Sequence, residues 1–105
     1  MQGNTLDNGG RNSGHVHTNA VGHLTEPPME QTGPGGVKIC RVNLVVGEEE
    51  TLAVVARGEL SKQLSLMEPN RSLFVRGRLV LHNWRTGNNA REACVLEMCG
   101  VDYVN

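Results

Sequence analysis

The residues best suited to chemistry lie on one short stretch of the chain, residues 72–84. With the two-residue period of a β-strand, two aromatic rings, two arginines and a histidine share one face: Phe74, Arg76, Arg78, His82 and Trp84. Rings stack on bases and guanidinium groups bind phosphates, which is the combination that single-stranded nucleic acid requires. The opposite face is apolar and is predicted to be buried: Leu73, Val75, Leu79 and Leu81, with Gly77 at a bulge or tight bend.

The distribution of charge supports a binding role for this stretch. The chain of 105 residues has a formal net charge of -1, yet residues 71–91 contain five arginines and no carboxylate. Two of these, Arg85 and Arg91, flank a predicted hairpin loop at residues 86–90 and complete the candidate site. Two other interpretations stay open. The arginine stems can simply cover apolar surface on an exposed strand, or the face can contact another protein, since Trp and Arg are enriched at interfaces.

The elements that must position these residues are predicted to be five strands and one helix. Apolar alternation predicts strands, whereas an apolar i, i+4, i+7 stripe of Leu60, Leu64 and Met67 predicts a helix. In the second strand, Cys40, Val42 and Leu44 are the expected inward set. The predicted order is strand 15–24, strand 37–46, strand 51–57, helix 59–67, strand 72–84 and strand 91–103. This order matches the OB-fold, an all-β, five-stranded Greek-key barrel with a short helix between strands 3 and 4.

Composition limits the remaining possibilities. Residues 1–14 are rich in Gly and Asn and are predicted to be a flexible N-terminal segment, before a single OB-fold domain at residues 15–105. The sequence has no secretory signal and no membrane-spanning run, so an intracellular, soluble protein without a membrane partner is expected. No catalytic motif or nucleotide-binding loop is found, which predicts a protein with no catalytic residues and no cofactor. Cys40, Cys94 and Cys99 are expected to be buried free thiols, without a disulfide or metal site.

Several motifs resemble the bacterial and mitochondrial single-stranded-DNA-binding (SSB) proteins. The similar segments are residues 22–28 (GHLTEPP), 32–36 (TGPGG) with the following strand, 54–62 (VVARGELSK) and 71–79 (RSLFVRGRL), closing on Trp84. They follow the family's order and cover nearly all of the chain from Val16 to Val104. The resemblance implies an OB-fold that binds single-stranded nucleic acid and assembles into oligomers.

The sequence also departs from that family. The loop at residues 47–50 is short and acidic, no aromatic ring occurs in residues 51–57, and an acidic C-terminal tail is missing. Because each stacked base contributes about 1–3 kcal/mol, weaker binding is expected. A ring-poor barrel resembles the OB-fold proteins of the kinetoplastid mitochondrial RNA-editing complex, which implies a mitochondrial location and other OB-fold subunits as partners. The alternatives are a replication-type ssDNA-binding protein and a protein-interaction module without nucleic-acid binding.

Overall fold

The computed structural model describes residues 16–104, and for residues 82–86 and 90–92 it describes the backbone only. The flexible segment predicted at residues 1–14 therefore lies outside the described residues. A 3₁₀ turn covers Pro34–Gly36. The regular elements are β1 (Val16–Gly22), β2 (Glu30–Thr32), β3 (Lys38–Val45), β4 (Thr51–Arg57), α1 (Glu59–Ser65), β5 (Leu73–Thr86) and β6 (Asn89–Tyr103). Within residues 16–104, no helix has the length and apolar character to span a membrane.

The six strands form one sheet in the order β1-β5-β6-β4-β3-β2. The β4–β6 pair is parallel and the other pairs are antiparallel. His23, just after β1, exchanges two backbone hydrogen bonds of 3.0 and 2.8 Å with Val45 at the end of β3. These bonds join β1, at one edge of the curved sheet, to β3, which lies next to the other edge strand. The result is the partly open Greek-key barrel of an OB-fold. The predicted fold class is confirmed, whereas the short edge strand β2 was not predicted.

A glycine allows this close crossing of β1 and β3. A Cβ atom on Gly22 would overlap the carbonyl oxygen of Val45 and would lie 2.9 Å from Cγ of Leu44. Both neighbours are fixed, one in the backbone and the other in the core, because Leu44 is fully buried. A side chain at position 22 would therefore push the strands apart where the barrel closes.

The barrel interior is filled by aliphatic side chains from every long strand. The inward set predicted for β3 is confirmed, since Cys40 and Leu44 are fully buried and Val42 packs against the core. The helical stripe is also confirmed, because Leu64 is fully buried and Leu60 and Met67 pack on the same cluster. Burying each large aliphatic side chain contributes about 1.5–3 kcal/mol. In a chain with only three aromatic residues, this aliphatic core is therefore the main source of stability.

The β5–β6 hairpin reaches beyond the barrel. Leu73 and Val75 are buried and Leu79 packs on the core, but Leu81 is 58% exposed, so its predicted burial is wrong. The register explains the difference. Among the described residues, β1 pairs with β5 only as far as Leu79, and β4 pairs with β6 only from Val95 onward. Leu81 pairs with Cys94, where no described residue of β1 or β4 pairs with the hairpin.

A β-bulge bends the same hairpin near its base, as predicted for Gly77. Arg76 pairs with Gly100 but Gly77 pairs with Met98, which leaves Cys99 as the extra residue of β6. A Cβ atom on Gly77 would overlap the carbonyl oxygen of Glu97, so the backbones approach each other too closely for any side chain there.

The three cysteines are free thiols in two different environments. Cys40 is buried, as expected, but Cys94 and Cys99 are exposed, so their predicted burial is wrong. Cys94 lies on the hairpin beyond the barrel, and Cys99 is the bulge residue. Among the described residues, no group of three His, Cys, Asp or Glu side chains is arranged to hold a metal ion.

Candidate nucleic-acid interface

The predicted site residues divide between the barrel and the protruding hairpin. On the barrel, Phe74, Arg76 and Arg78 alternate with the buried Leu73 and Val75, so they share the outer face of the sheet. On the hairpin, the remaining four belong to β5 and β6, and their side chains lie outside the description: His82, Trp84, Arg85 and Arg91. The backbone register pairs Trp84 on β5 with Arg91 on β6, so these two candidate binding residues lie at the same level of the hairpin.

The hairpin ends in a tight turn that the sequence predicts well. Thr86 pairs with Asn89, so only Gly87 and Asn88 form the loop. Gly87 has a φ of 61°, in the left-handed region that glycine adopts at little cost. The turn therefore follows from the Gly-Asn pair, and it places Arg85 and Arg91 on opposite strands close to the tip.

A carboxylate from β6 interrupts the basic face. Arg78 donates to Oε1 of Glu97 at 2.5 Å, and Arg57 on β4 lies 3.5 Å from Oε2 of the same residue. Residues 71–91 lack a carboxylate in sequence, but the fold supplies one from 19 residues away. Two arginines thus share a single negative charge, and the trio keeps a net charge of about +1.

Arg71 has a structural role. Its guanidinium lies 3.6 Å above the centre of the Tyr103 ring, and the Tyr103 hydroxyl accepts a 3.0 Å hydrogen bond from the backbone N–H of Glu68. Both contacts tie the segment between α1 and β5 to the end of β6. Arg71 and Tyr103 therefore hold the barrel together at this end and are engaged with each other.

Arg76 is an exposed arginine of the outer face and has no carboxylate partner within the described residues. Its guanidinium lies across Gly100, its register partner on β6. It also lines an open depression of about 300 Å³ between β1, β5 and the bulge, together with His17, Thr18, Asn19, Gly77 and Cys99. The bulge and the missing side chain of Gly100 leave room for an arginine to lie flat on the sheet.

Sequence reasoning missed a second basic area on β3 and β4. Arg41 pairs with Val55, Val55 pairs with Glu97, and Glu97 pairs with Arg78, so these four residues form one row across four strands. Arg41 and Asn43 also line a groove of about 420 Å³ under the segment of residues 24–31. Strands 2–3 of an OB-fold and the loop between its first two strands are its usual ligand surface. The signal was present, because Arg41 and Asn43 alternate with the predicted inward residues of β3.

Aromatic residues are scarce on this face. Phe74 is half-buried, and its register partners are Val21 on β1 and Asp102 on β6. With Tyr103 engaged by Arg71, the sequence's three rings leave only Phe74 and Trp84 for stacking on bases. The described outer face is thus basic and aliphatic, with few stacking surfaces.

Comparison of the fold identifies related structures. The single-stranded DNA binding protein from Thermus aquaticus is similar, with 27% identity over 85% of this chain and a TM-score of 0.69. A deletion mutant of that protein gives 28% identity over 85% of this chain and a TM-score of 0.67. The fold is like that of single-stranded DNA-binding proteins. This chain spans 40% of the length of either Thermus structure.

A shorter relative matches over nearly its whole length. The small single-stranded DNA-binding protein from Streptomyces coelicolor has a TM-score of 0.67, with 88% of this chain and 96% of that chain covered. At 15% identity this similarity concerns the fold alone. No family model matches the sequence, and no curated protein matches it.

Proposed function

We propose that the protein binds single-stranded nucleic acid as a non-catalytic OB-fold. The similarity to the Thermus single-stranded DNA binding protein carries this proposal, because it joins the same fold to 27% identity over 85% of the chain. The basic outer face supports it independently. Arg41 and Arg76 offer cationic groups to phosphates, and the hairpin adds Arg85 and Arg91.

The proposed mechanism combines phosphate contacts with limited stacking. Phosphates of the bound nucleic acid are contacted by four arginines: Arg76, Arg78, Arg85 and Arg91. Trp84 and Phe74 stack on bases, and His82 is the remaining proposed contact. Two rings at about 1–3 kcal/mol each support modest binding, in contrast to a protein that coats DNA with many rings. The affinity is expected to fall with added salt, because phosphate contacts release counterions.

We further propose that the protein acts within a larger nucleic-acid-processing assembly and contacts other OB-fold subunits through strand edges. The outer edge of β1 supports this, since β1 pairs with β5 on one side and carries the exposed Val16 and Val21. The most specific version of this proposal is that the assembly is a mitochondrial RNA-editing complex. Its support is the absence of aromatic rings in β4 and the short, acidic loop at residues 47–50.

Oligonucleotide titration tests the proposal and separates it from its rivals. Fluorescently labelled oligo-dT and oligo-U are titrated at two salt concentrations, with Trp84→Ala and Arg76→Glu/Arg78→Glu as variants. Salt-sensitive binding that both variants weaken supports the proposed interface. Nanomolar binding of oligo-dT favours a replication-type protein, whereas absence of binding at low salt leaves a protein-interaction module. Light scattering after size exclusion measures self-association.

A further inference from the structure

We infer that the depression beside Arg76 is a phosphate-binding subsite and that Gly100 is the residue that positions its arginine. This inference rests on the proposed function and makes it more specific, since it assigns a phosphodiester group to one depression on the β1–β5–β6 face. The depression has a volume of about 300 Å³ and is lined by polar groups of β1, among them Thr18 and Asn19.

The charge pattern distinguishes Arg76 from Arg57 and Arg78. Arg57 and Arg78 share the carboxylate of Glu97, so an approaching phosphate meets partly neutralised guanidinium groups there. Arg76 forms no ion pair with any described side chain and is exposed. Asp102, on the same face of β6, lies opposite Phe74 and not opposite Arg76. An anion in the depression therefore meets the charge of Arg76 without a described carboxylate paired to it.

Gly100 determines where that guanidinium lies. A Cβ atom on Gly100 would overlap Nη2 of Arg76 and would lie 2.9 Å from its Cζ and 3.2 Å from its Nε. All three neighbours belong to the planar guanidinium, so the glycine serves as its flat support. The φ of Gly100 is outside the left-handed region, and alanine is compatible with the backbone there. The glycine is thus needed for the arginine's position and not for the fold.

The bulge completes the subsite. Cys99 is the extra residue of β6, and its insertion bends the strand next to Arg76 and opens the depression between β5 and β1. Asn19 is the register partner of Arg76 on β1, so its side-chain amide lies at the same level of the sheet. A phosphate seated there meets a planar, fork-like cation from one side and an amide donor from the other.

A double-mutant cycle on the intact chain tests the inference. Oligo-dT and oligo-U are titrated against wild type, Arg76→Gln, Gly100→Ala and the double variant across a range of salt concentrations. Arg76→Gln is expected to reduce the slope of log K against log[salt] by about 0.7, the value of one single-strand phosphate contact. Gly100→Ala is expected to weaken binding in the wild-type background and to have no effect in the Arg76→Gln background.

Controls separate positioning from folding. Lys62→Gln on α1 removes the same charge from an exposed site away from this face, and it is expected to leave the salt slope unchanged. Arg76→Lys is expected to keep the salt slope, because the charge remains. In the Arg76→Lys background, Gly100→Ala is expected to have no effect on binding, because no planar guanidinium remains to be displaced. Thermal unfolding checks that each variant folds.

The outcomes distinguish this inference from the proposed function. If wild type binds and Arg76→Gln behaves like Lys62→Gln, the subsite is refuted and the proposed function stands. If Gly100→Ala weakens binding equally in both backgrounds, Gly100 does not position Arg76 and that assignment is refuted. If wild type binds neither oligonucleotide at low salt, the proposed function itself is refuted.

Discussion

Removing the Glu97 carboxylate is expected to strengthen nucleic-acid binding. Glu97 holds two arginines from different strands, Arg78 at 2.5 Å and Arg57 at 3.5 Å, and is itself only 24% exposed. Glu97→Gln keeps the size of the side chain and its ability to accept a hydrogen bond, but it removes the negative charge. Both guanidinium groups then lose this carboxylate as a competitor for phosphates on the outer face.

The size of the effect follows from the number of charges released. Each additional phosphate contact with a single strand steepens the salt slope by about 0.7, which amounts to about fivefold in affinity between 1 M and 0.1 M salt. One released arginine gives about fivefold and two give about 25-fold at 0.1 M salt. The cost to folding is small, since an ion pair with side chains 40% and 24% exposed contributes less than about 1 kcal/mol.

Fluorescence anisotropy with labelled oligo-dT, measured at several salt concentrations, gives both the affinity and the slope. Glu59→Gln provides the matched control, because it removes one exposed carboxylate from α1 and changes the net charge equally. A gain shared by both variants would show only an effect of net charge. Binding by Glu97→Gln that is no tighter than wild type, with an unchanged slope and melting temperature, would falsify the role given to this carboxylate.

Three further predictions concern the stacking residue, the bulge and the buried thiol. Trp84→Ala should weaken oligonucleotide binding by about 1–3 kcal/mol, and Trp84 fluorescence, from the single tryptophan of the sequence, should change on titration. Gly77→Ala should lower the free energy of unfolding by about 1–3 kcal/mol in urea denaturation, because its methyl group meets the backbone of Glu97. Gly100→Ala, whose nearest neighbours are atoms of the flexible Arg76 side chain, is its control. Burial, helped by the Glu30 carboxylate, raises the pKa of the Cys40 thiol above its usual 9.0. The folded state therefore keeps a proton that the unfolded chain loses, and stability should fall more steeply as the pH rises above 9.0 in wild type than in Cys40→Ala.

The barrel was predictable because its strands and helix follow local rules. Alternation identified Cys40, Val42 and Leu44 as the inward set of β3, and the i, i+4, i+7 stripe identified Leu64 as a core residue. The glycine in the middle of a strong strand correctly indicated the bulge. Each of these inferences needs only a few neighbouring residues, and the fold agrees with all of them.

The features that were missed depend on contacts between distant segments. Periodicity assigned Leu81 to the core, but burial also requires a partner strand, and the described residues of β1 and β4 pair with the hairpin only below that level. The carboxylate-free stretch appeared wholly basic, because the sequence of residues 71–91 does not reveal that Glu97 pairs with Arg78 across the sheet. Pairing register is set by the assembled barrel, and it decides which charges meet.

The two parts of the proposed interface lie far apart along one strand. Trp84 follows Arg76 by eight residues, which at the usual rise of a β-strand is about 27 Å. A ligand that occupies the subsite beside Arg76 and also stacks on Trp84 must span the barrel face and much of the hairpin. Short oligonucleotides can reach only one part, and each part offers a single ring with a few arginines. Affinity should therefore rise steeply once an oligonucleotide is long enough to bridge them, because the second contact then becomes intramolecular.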